Sequence, residues 1–332
     1  MTRAQVFTSI LVAGLLVGGC ECDSEGGEAS AGDDDARLIA VVPKGTTHEF
    51  WKSVHAGAVK AGRELGVEIL WQGPVREDDR AEQVRVVEDM ISRGVAGIVL
   101  APLDDTALVP PVSEATTEGI PVVIIDSGIN WDGRVSFVAT DNHRGGALAA
   151  ERLGELLDGT GKVLMMRYQE GSASTMRREA GFLETMQSRF PQIELVSTNQ
   201  YGGATTETAY TTAENLLVSF NDVGGIFCPN ESTTFGMLRA LVDGNRAGDV
   251  KFVGFDSSEK LVEGLEAGHI HGLVLQNPFR MGELGVRTLV SHLDGEEVEG
   301  RVDTGVTMVT AENMNEPDVR ALLVPDITEW LD

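Results

Sequence analysis

The sequence predicts a two-lobed α/β protein whose parallel sheets are joined by hinge strands. Three observations carry this. Short β-branched runs alternate with segments of helical period from Arg37 onward. The alternation restarts after residue 140. No Pro-rich or Ser-rich linker interrupts residues 37–332. Strands that are apolar at every position need cover on both faces, which is the signature of a parallel sheet between helices.

The first strand is Leu38-Ile39-Ala40-Val41-Val42, ended by Pro43 and Gly45. Phe50, Val54, Ala58, Ala61 and Leu65 then recur at helical spacing, and Gly66 closes that helix. Val67–Trp71 is the second strand, and Val84, Val87 and Ile91 mark the next helix. Gly97–Leu100 is the third strand, a helix runs over Ala107–Thr117, and Ile120–Ile125 is the fourth. After Phe137–Thr140, strands are expected at 162–166, 193–198, 223–228, 250–254 and 270–275. Helices are expected over 176–190 and 205–220, and another after Pro278, a residue suited to the first helical turn. Crossings between lobes are expected near 140–142, 277 and 308. They divide the body into 37–140 plus 277–308 and 141–276 plus 309–332.

Composition limits the function. The chain has 332 residues, a formal charge of −26, 42% apolar and 23% charged residues, ordinary globular values with room for about two domains. Acidity of this size argues against nucleic-acid binding, which needs clustered Lys and Arg. Three cysteines cannot make a disulfide framework, and their spacing fits neither a zinc knuckle nor a redox pair, so no metal and no cofactor is expected. Cys228 lies in an apolar strand and reads as a small buried hydrophobe.

The start reads as an address. Arg3 is followed by a 12-residue, largely apolar run, Val6–Val17, too short to span a bilayer. It ends Val17-Gly18-Gly19-Cys20, which resembles the bacterial lipobox and would make Cys20 the lipid-bearing first residue after removal of 1–19. An ordinary signal peptide is the weaker alternative. Residues 20–36, with six acidic side chains among 23–36, form an expected flexible tether. The body is thus expected outside the cytoplasm, on the periplasmic or cell-surface face of the membrane.

In open parallel sheets, ligands bind beyond the carboxyl ends of the strands. Those ends carry Thr46–Trp51, Asp126-Ser127, Asp141-Asn142, Pro229-Asn230-Glu231, Asp256, and Gln276-Asn277. One planar carboxylate or amide after a strand is usually a turn or cap. Five or six from two lobes would build a polar ring, able to grip neighbouring hydroxyls, with aromatic rings against an apolar sugar face.

With those residues in view, the chain resembles the sugar-binding proteins of the ribose/galactose type. These are type I periplasmic binding proteins, in the superfamily of the lactose-repressor effector domain. The marks are Asn142 with Gly145-Gly146, Arg178-Glu179-Ala180-Gly181-Phe182, Asn230-Glu231, Gly254-Phe255-Asp256, and Gln276 before Asn277-Pro278. The resemblance covers nearly all of 37–332. It implies two Rossmann-like lobes and a receptor that binds a monosaccharide or related polyhydroxyl ligand in the interlobe cleft. Such a receptor delivers its ligand to an ABC-type permease, and a monomer is expected.

Carried over position by position, the resemblance implies that Phe50 and Trp51 stack on the sugar and that His48 supplies a polar contact beside them. Asp126 accepts from hydroxyls, Arg178 offers a fork of donors, and Asn230, Asp256 and Gln276 bind from the second lobe and hinge. Asn142 and Tyr201 complete the implied set. Ser127 and Glu49 depart from the family pattern and leave a hexose, deoxy sugar, polyol or sugar acid open beside ribose. A sensory receptor signalling to a membrane kinase fits the same residues. A sugar-acting enzyme would need an acid–base pair, and no pair stands out.

Overall fold

The computed structural model describes residues 37–331; the leader and tether expected over 1–36, with Cys20 and Cys22, lie outside the described residues. The first half contributes β1 (Leu38–Val42), α1 (Glu49–Leu65), β2 (Glu68–Trp71), α2 (Arg80–Ser92), β3 (Gly97–Leu100), α3 (Val109–Thr117), β4 (Val122–Ile125) and β5 (Ser136–Ala139). Then come α4 (Asn142–Leu156), β6 (Gly161–Arg167), α5 (Ala173–Arg189), β7 (Ile193–Tyr201), α6 (Thr206–Ser219), β8 (Gly225–Phe227), α7 (Glu231–Asp243), β9 (Lys251–Phe255), α8 (Glu259–Glu266) and β10 (Gly272–Leu275). The chain closes with α9 (Pro278–Leu293), β11 (Arg301–Asp303), β12 (Thr307–Val309), α10 (Pro317–Leu323) and α11 (Thr328–Leu331).

Two six-stranded sheets result, ordered β11-β5-β4-β3-β1-β2 and β12-β10-β9-β8-β6-β7. All pairings are parallel except β10 with β12. The order is the same in both sheets, so the chain repeats one doubly wound plan. Successive residues of β1 show why its sequence is apolar throughout. Ile39 and Val41 join the core on one face, and Ala40 and Val42 join the core on the other.

Each lobe also carries a close helix pair, α1 on α9 and α4 on α5. Glycine permits the second. A Cβ on Gly146 would lie 1.8 Å from the Arg178 carbonyl oxygen, and one on Gly181 would lie 2.0 Å from that of His143.

Three segments join the lobes. The chain leaves the first sheet after β5, returns between β10 and α9, and passes over again between Asp303 and Thr307. The last crossing comes earlier than the expected position 308, because Met308 already pairs with Val274 in the second sheet. The tail divides too. Val319 and Leu323 of α10 enter the second lobe's core. α11 instead packs on α1, where Arg63 donates to the carbonyls of Glu329 (3.1 Å) and Trp330 (3.3 Å). Residues 309–332 therefore do not all belong to the second lobe. Cys228 is buried and unbridged in the second lobe's core. Among the described residues, no helix is long and apolar enough to cross a membrane.

Candidate functional site

The carboxyl ends of β1, β4, β6 and β9 face one another across the interlobe space. Two of the turns there hold aspartate in the left-handed region, Asp126 at φ 58° after β4 and Asp256 at φ 69° after β9. Non-glycine residues adopt this region at a cost of about 1–3 kcal/mol, and such outliers concentrate at binding sites. The backbone remains tied to the sheet: Asp126 N–H donates to the Val138 carbonyl (3.1 Å), and Asp256 N–H to that of Val274 (2.9 Å).

Arg178 is the centre of the arrangement. It is 2% exposed. Its Nε donates to Asn142 Oδ1 (2.7 Å) and one terminal nitrogen donates to the Pro229 carbonyl (2.9 Å). Its guanidinium lies 3.7 Å from Asp256 and 4.0 Å from Asp126, and sits 3.9 Å over the Phe255 ring. One fork of donors thus bridges carboxylates from both lobes. Gln276 Nε2 donates to Asp256 Oδ1 (2.7 Å), while Gln276 Oε1 is buried without a partner. Asn230 caps α7 and accepts from Thr233 Oγ1 (2.6 Å).

These groups line a space between the lobes of about 330 Å³, its opening to solvent included. His48, Phe50, Trp51, Asp126, Arg178, Asn230, Asp256 and Gln276 all line it. Phe50 and Trp51 meet edge to face, with centroids 4.9 Å apart. Trp51 is the more buried of the two, and its indole N–H donates to Glu77, so the ring is fixed in place.

Two expected residues stand elsewhere. Asn142 does not line the cavity; it lies behind it, orienting Arg178 through Oδ1 while its amide donates to the Asp126 and Thr140 carbonyls. It is a positioning residue, and Asp141 rather than Asn142 caps α4. Tyr201 is 37% exposed at the end of β7, where its hydroxyl accepts from Arg167 (3.1 Å), and it does not line the cavity. β7 runs on to residue 201 at the sheet edge, which carries the ring away from the cleft. His143 faces Glu184 (2.9 Å) and is no part of the cavity wall.

Sequence reasoning passed over Lys44, Glu77 and Tyr168, and named Glu231 at a strand end without giving it a contact. Lys44 pairs with Asp126 (2.7 Å) and donates across the cleft to Ser174 Oγ (3.0 Å). Glu77 accepts from Trp51 and from the Tyr168 hydroxyl, and pairs with His48 (2.8 Å). Glu231 Oε2 accepts from the Phe50 backbone N–H (3.4 Å), again across the cleft. Lys44 and Tyr168 stand just after β1 and β6, where the strand-end rule would have found them. Glu77 sits six residues beyond β2, and its position in the sequence gives no such signal.

The charges are strongly coupled. Burial opposes protonation of His48, but Glu77 beside it raises the imidazole to about 9. Burial pushes Glu77 up, yet His48 and Lys44 hold it down at about 2. Burial, aided by Asp256, lifts Glu231 to about 7 against the pull of His48. A raised carboxyl means that the native state binds more protons, so Glu231 costs stability as pH rises from 4.5 to about 7. The stability that His48 contributes is complete below 6.5 and is lost as pH rises through about 9. With Glu179, which burial also lifts to about 7, these groups are expected to lower the melting temperature of the unliganded protein from pH 5 to pH 9, against a smaller opposite effect below 6.5 from His55 and His271, which burial lowers. Glu231→Gln should flatten the lower part of that slope. Calorimetric melting at half-unit pH steps checks this, and a melting temperature that rises over the window contradicts it.

A model of the periplasmic binding protein domain matches residues 39–297. The chain belongs to the periplasmic binding protein family. Among curated members of this family, the Ribose import binding protein RbsB of Haemophilus influenzae is 27% identical over 93% of this chain and all of its own length. The D-ribose/D-allose-binding protein of Pseudomonas aeruginosa is 31% identical over 82% of this chain and 88% of its own. Solved members agree in fold. A carbohydrate transporter solute-binding protein from Agrobacterium radiobacter, in complex with D-arabinose, superposes with a TM-score of 0.84. It is 33% identical and covers 87% of this chain and 99% of its own. An ABC transporter solute-binding protein from Agrobacterium vitis with bound D-fucose gives a TM-score of 0.83. It is 37% identical and covers 86% of this chain and its entire own length. The named relatives are binding and import proteins rather than enzymes.

Proposed function

We propose that this periplasmic binding protein is the sugar receptor of an ABC importer, holding a monosaccharide in the interlobe cavity and releasing it unchanged. The observation that carries the reading is the convergence of Asp126, Arg178, Asn230, Asp256 and Gln276 with Phe50 and Trp51 around one interlobe space. Carboxylates there accept from hydroxyls, Arg178 donates to ring or hydroxyl oxygens, and the aromatics cover the apolar face. The unpartnered Gln276 Oε1 supports a ligand donor at that point, because an unpaired buried polar atom costs about 1–3 kcal/mol. Sugars named for the relatives, among them D-ribose, D-allose, D-arabinose and D-fucose, support an aldose.

Closure would bring the lobes together, burying the sugar and forming the composite surface read by a membrane permease. The ribose import names of the relatives favour a permease over a kinase as that partner. The lobe bounds near 140 and 277 and at 303–307 would serve as its hinges. Cys20, after removal of 1–19, would anchor the receptor to the membrane through a lipid, with 20–36 as the tether.

A thermal-shift screen of the full chain against D-ribose, D-allose, D-arabinose, D-fucose and D-tagatose tests the binding. A true ligand at a hundredfold excess over its Kd is expected to add about 2.7 kcal/mol of stability. No shift with any monosaccharide or polyol overturns the proposal. Loss of membrane association and of palmitate labelling in Cys20→Ala tests the anchor separately.

A further inference from the structure

Bonds between the lobes concentrate on the loop that leads from β6 into α5. The Tyr168 hydroxyl donates to Glu77 Oε2, and Gln169 Nε2 donates to the Glu77 carbonyl (2.9 Å). The Glu170 carbonyl accepts from Arg80 (2.7 Å), and that of Gly171 accepts from the Asp105 backbone N–H (2.9 Å). Ser174 Oγ accepts from Lys44 (3.0 Å), and the Ser174 backbone N–H donates to Ser127 Oγ (3.1 Å). The partners stand beyond β1, β2, β3 and β4, so this one loop of the second lobe spans the carboxyl end of the first lobe's sheet.

Glu77 is where the loop meets the residues that face the sugar. Its Oε1 accepts from the Trp51 indole N–H and pairs with His48 Nδ1 (2.8 Å), while Oε2 accepts from Tyr168. Tyr168 is 1% exposed and Glu77 is 8% exposed. A phenol donating to a carboxylate makes a charge-assisted bond, roughly twice as strong as one between neutral groups. Opening the cleft takes that donor away and leaves the carboxylate fixed from one side only.

We propose that the 168–174 loop is a clasp that sets how long the closed form keeps its ligand, and that Glu77 is the positioning residue through which the clasp acts on Trp51 and His48. This rests on the sugar-binding reading above. Closure and grip are then coupled, because the donor that shuts the clasp also completes the shell of the carboxylate that holds the two sugar-facing side chains. The clasp forms after the sugar has entered the open cleft, so it governs dissociation rather than association.

Stopped-flow kinetics of the full chain with D-ribose, D-allose, D-arabinose and D-fucose test this. Neither Arg80 nor Gln169 lines the cavity, so the double variant Arg80→Ala/Gln169→Ala removes clasp bonds and no wall of the site. It is expected to raise the dissociation rate about tenfold and to keep the association rate within about twofold of wild type. Tyr168→Phe, which removes one hydroxyl, should also raise dissociation about tenfold. In Glu77→Gln, adding Tyr168→Phe should change dissociation by less than about twofold further, since both act at one carboxylate. A dissociation rate in the double variant within about twofold of wild type overturns the clasp, as does a loss confined to association. Full additivity of Glu77→Gln and Tyr168→Phe overturns the role of Glu77. Each of these outcomes leaves the sugar receptor intact, whereas a wild type that binds none of the sugars overturns the sugar reading and the clasp with it.

Discussion

Replacing Arg178 with alanine is expected to lower sugar affinity by about 10²–10³-fold, the effect of removing one partner from a buried, hydrogen-bonded charge cluster. The guanidinium lies within 4.0 Å of carboxylates from both lobes. Without it, Asp126 and Asp256 face each other across the cleft with one fewer compensating charge, and burial already pushes Asp256 toward its neutral form. The Pro229 carbonyl and Asn142 Oδ1 lose their donors as well. Arg178→Lys keeps the charge but not the planar fork, and is expected to recover only part of the affinity. Titration calorimetry with a sugar found in the thermal-shift screen reads the effect. Affinity in Arg178→Ala within about threefold of wild type would remove Arg178 from the binding set.

Gly146→Val is expected to be the most damaging single substitution for stability. The new side chain would begin 1.8 Å from the Arg178 carbonyl oxygen and 2.8 Å from the Phe182 backbone nitrogen, so α4 and α5 must separate. Overpacking of this kind costs about 3 kcal/mol or more when the obstacle is backbone. For a protein of this size that is a fall of about 4–5 °C or more in melting temperature. The same separation shifts the turn of α5 that carries Arg178, so sugar binding should weaken in the population that remains folded. Circular dichroism melts check the first effect. A melting temperature within about 2 °C of wild type would show that the helix pair is not close-packed as described.

The fold was legible because its signals are local. Apolar runs such as Gly97–Leu100 and helices such as Glu49–Leu65 stand out in the sequence and need no tertiary information. The short strands β11 and β12 were not legible. Arg301–Asp303 and Thr307–Val309 are three residues each, and they are strands only because sheet edges wait for them. In the site, residues directly after a strand could be read, as Asp126 and Asp256 were. Glu77 reaches the cavity from a loop and Glu231 from the first turn of α7, and only folding brings the two near His48. Tyr201, which only the resemblance implied, misses the cavity because its strand runs on to residue 201 at the edge of the sheet.

A crystal structure with a bound sugar from the screen tests the account most directly. The predicted result is an intact sugar between the lobes. Its hydroxyls should lie within hydrogen-bonding distance of Asp126, Arg178, Asn230 and Asp256, with one donating to Gln276 Oε1 and a ring face against Phe50 or Trp51. A sugar seated away from these residues, or one found cleaved, would contradict it.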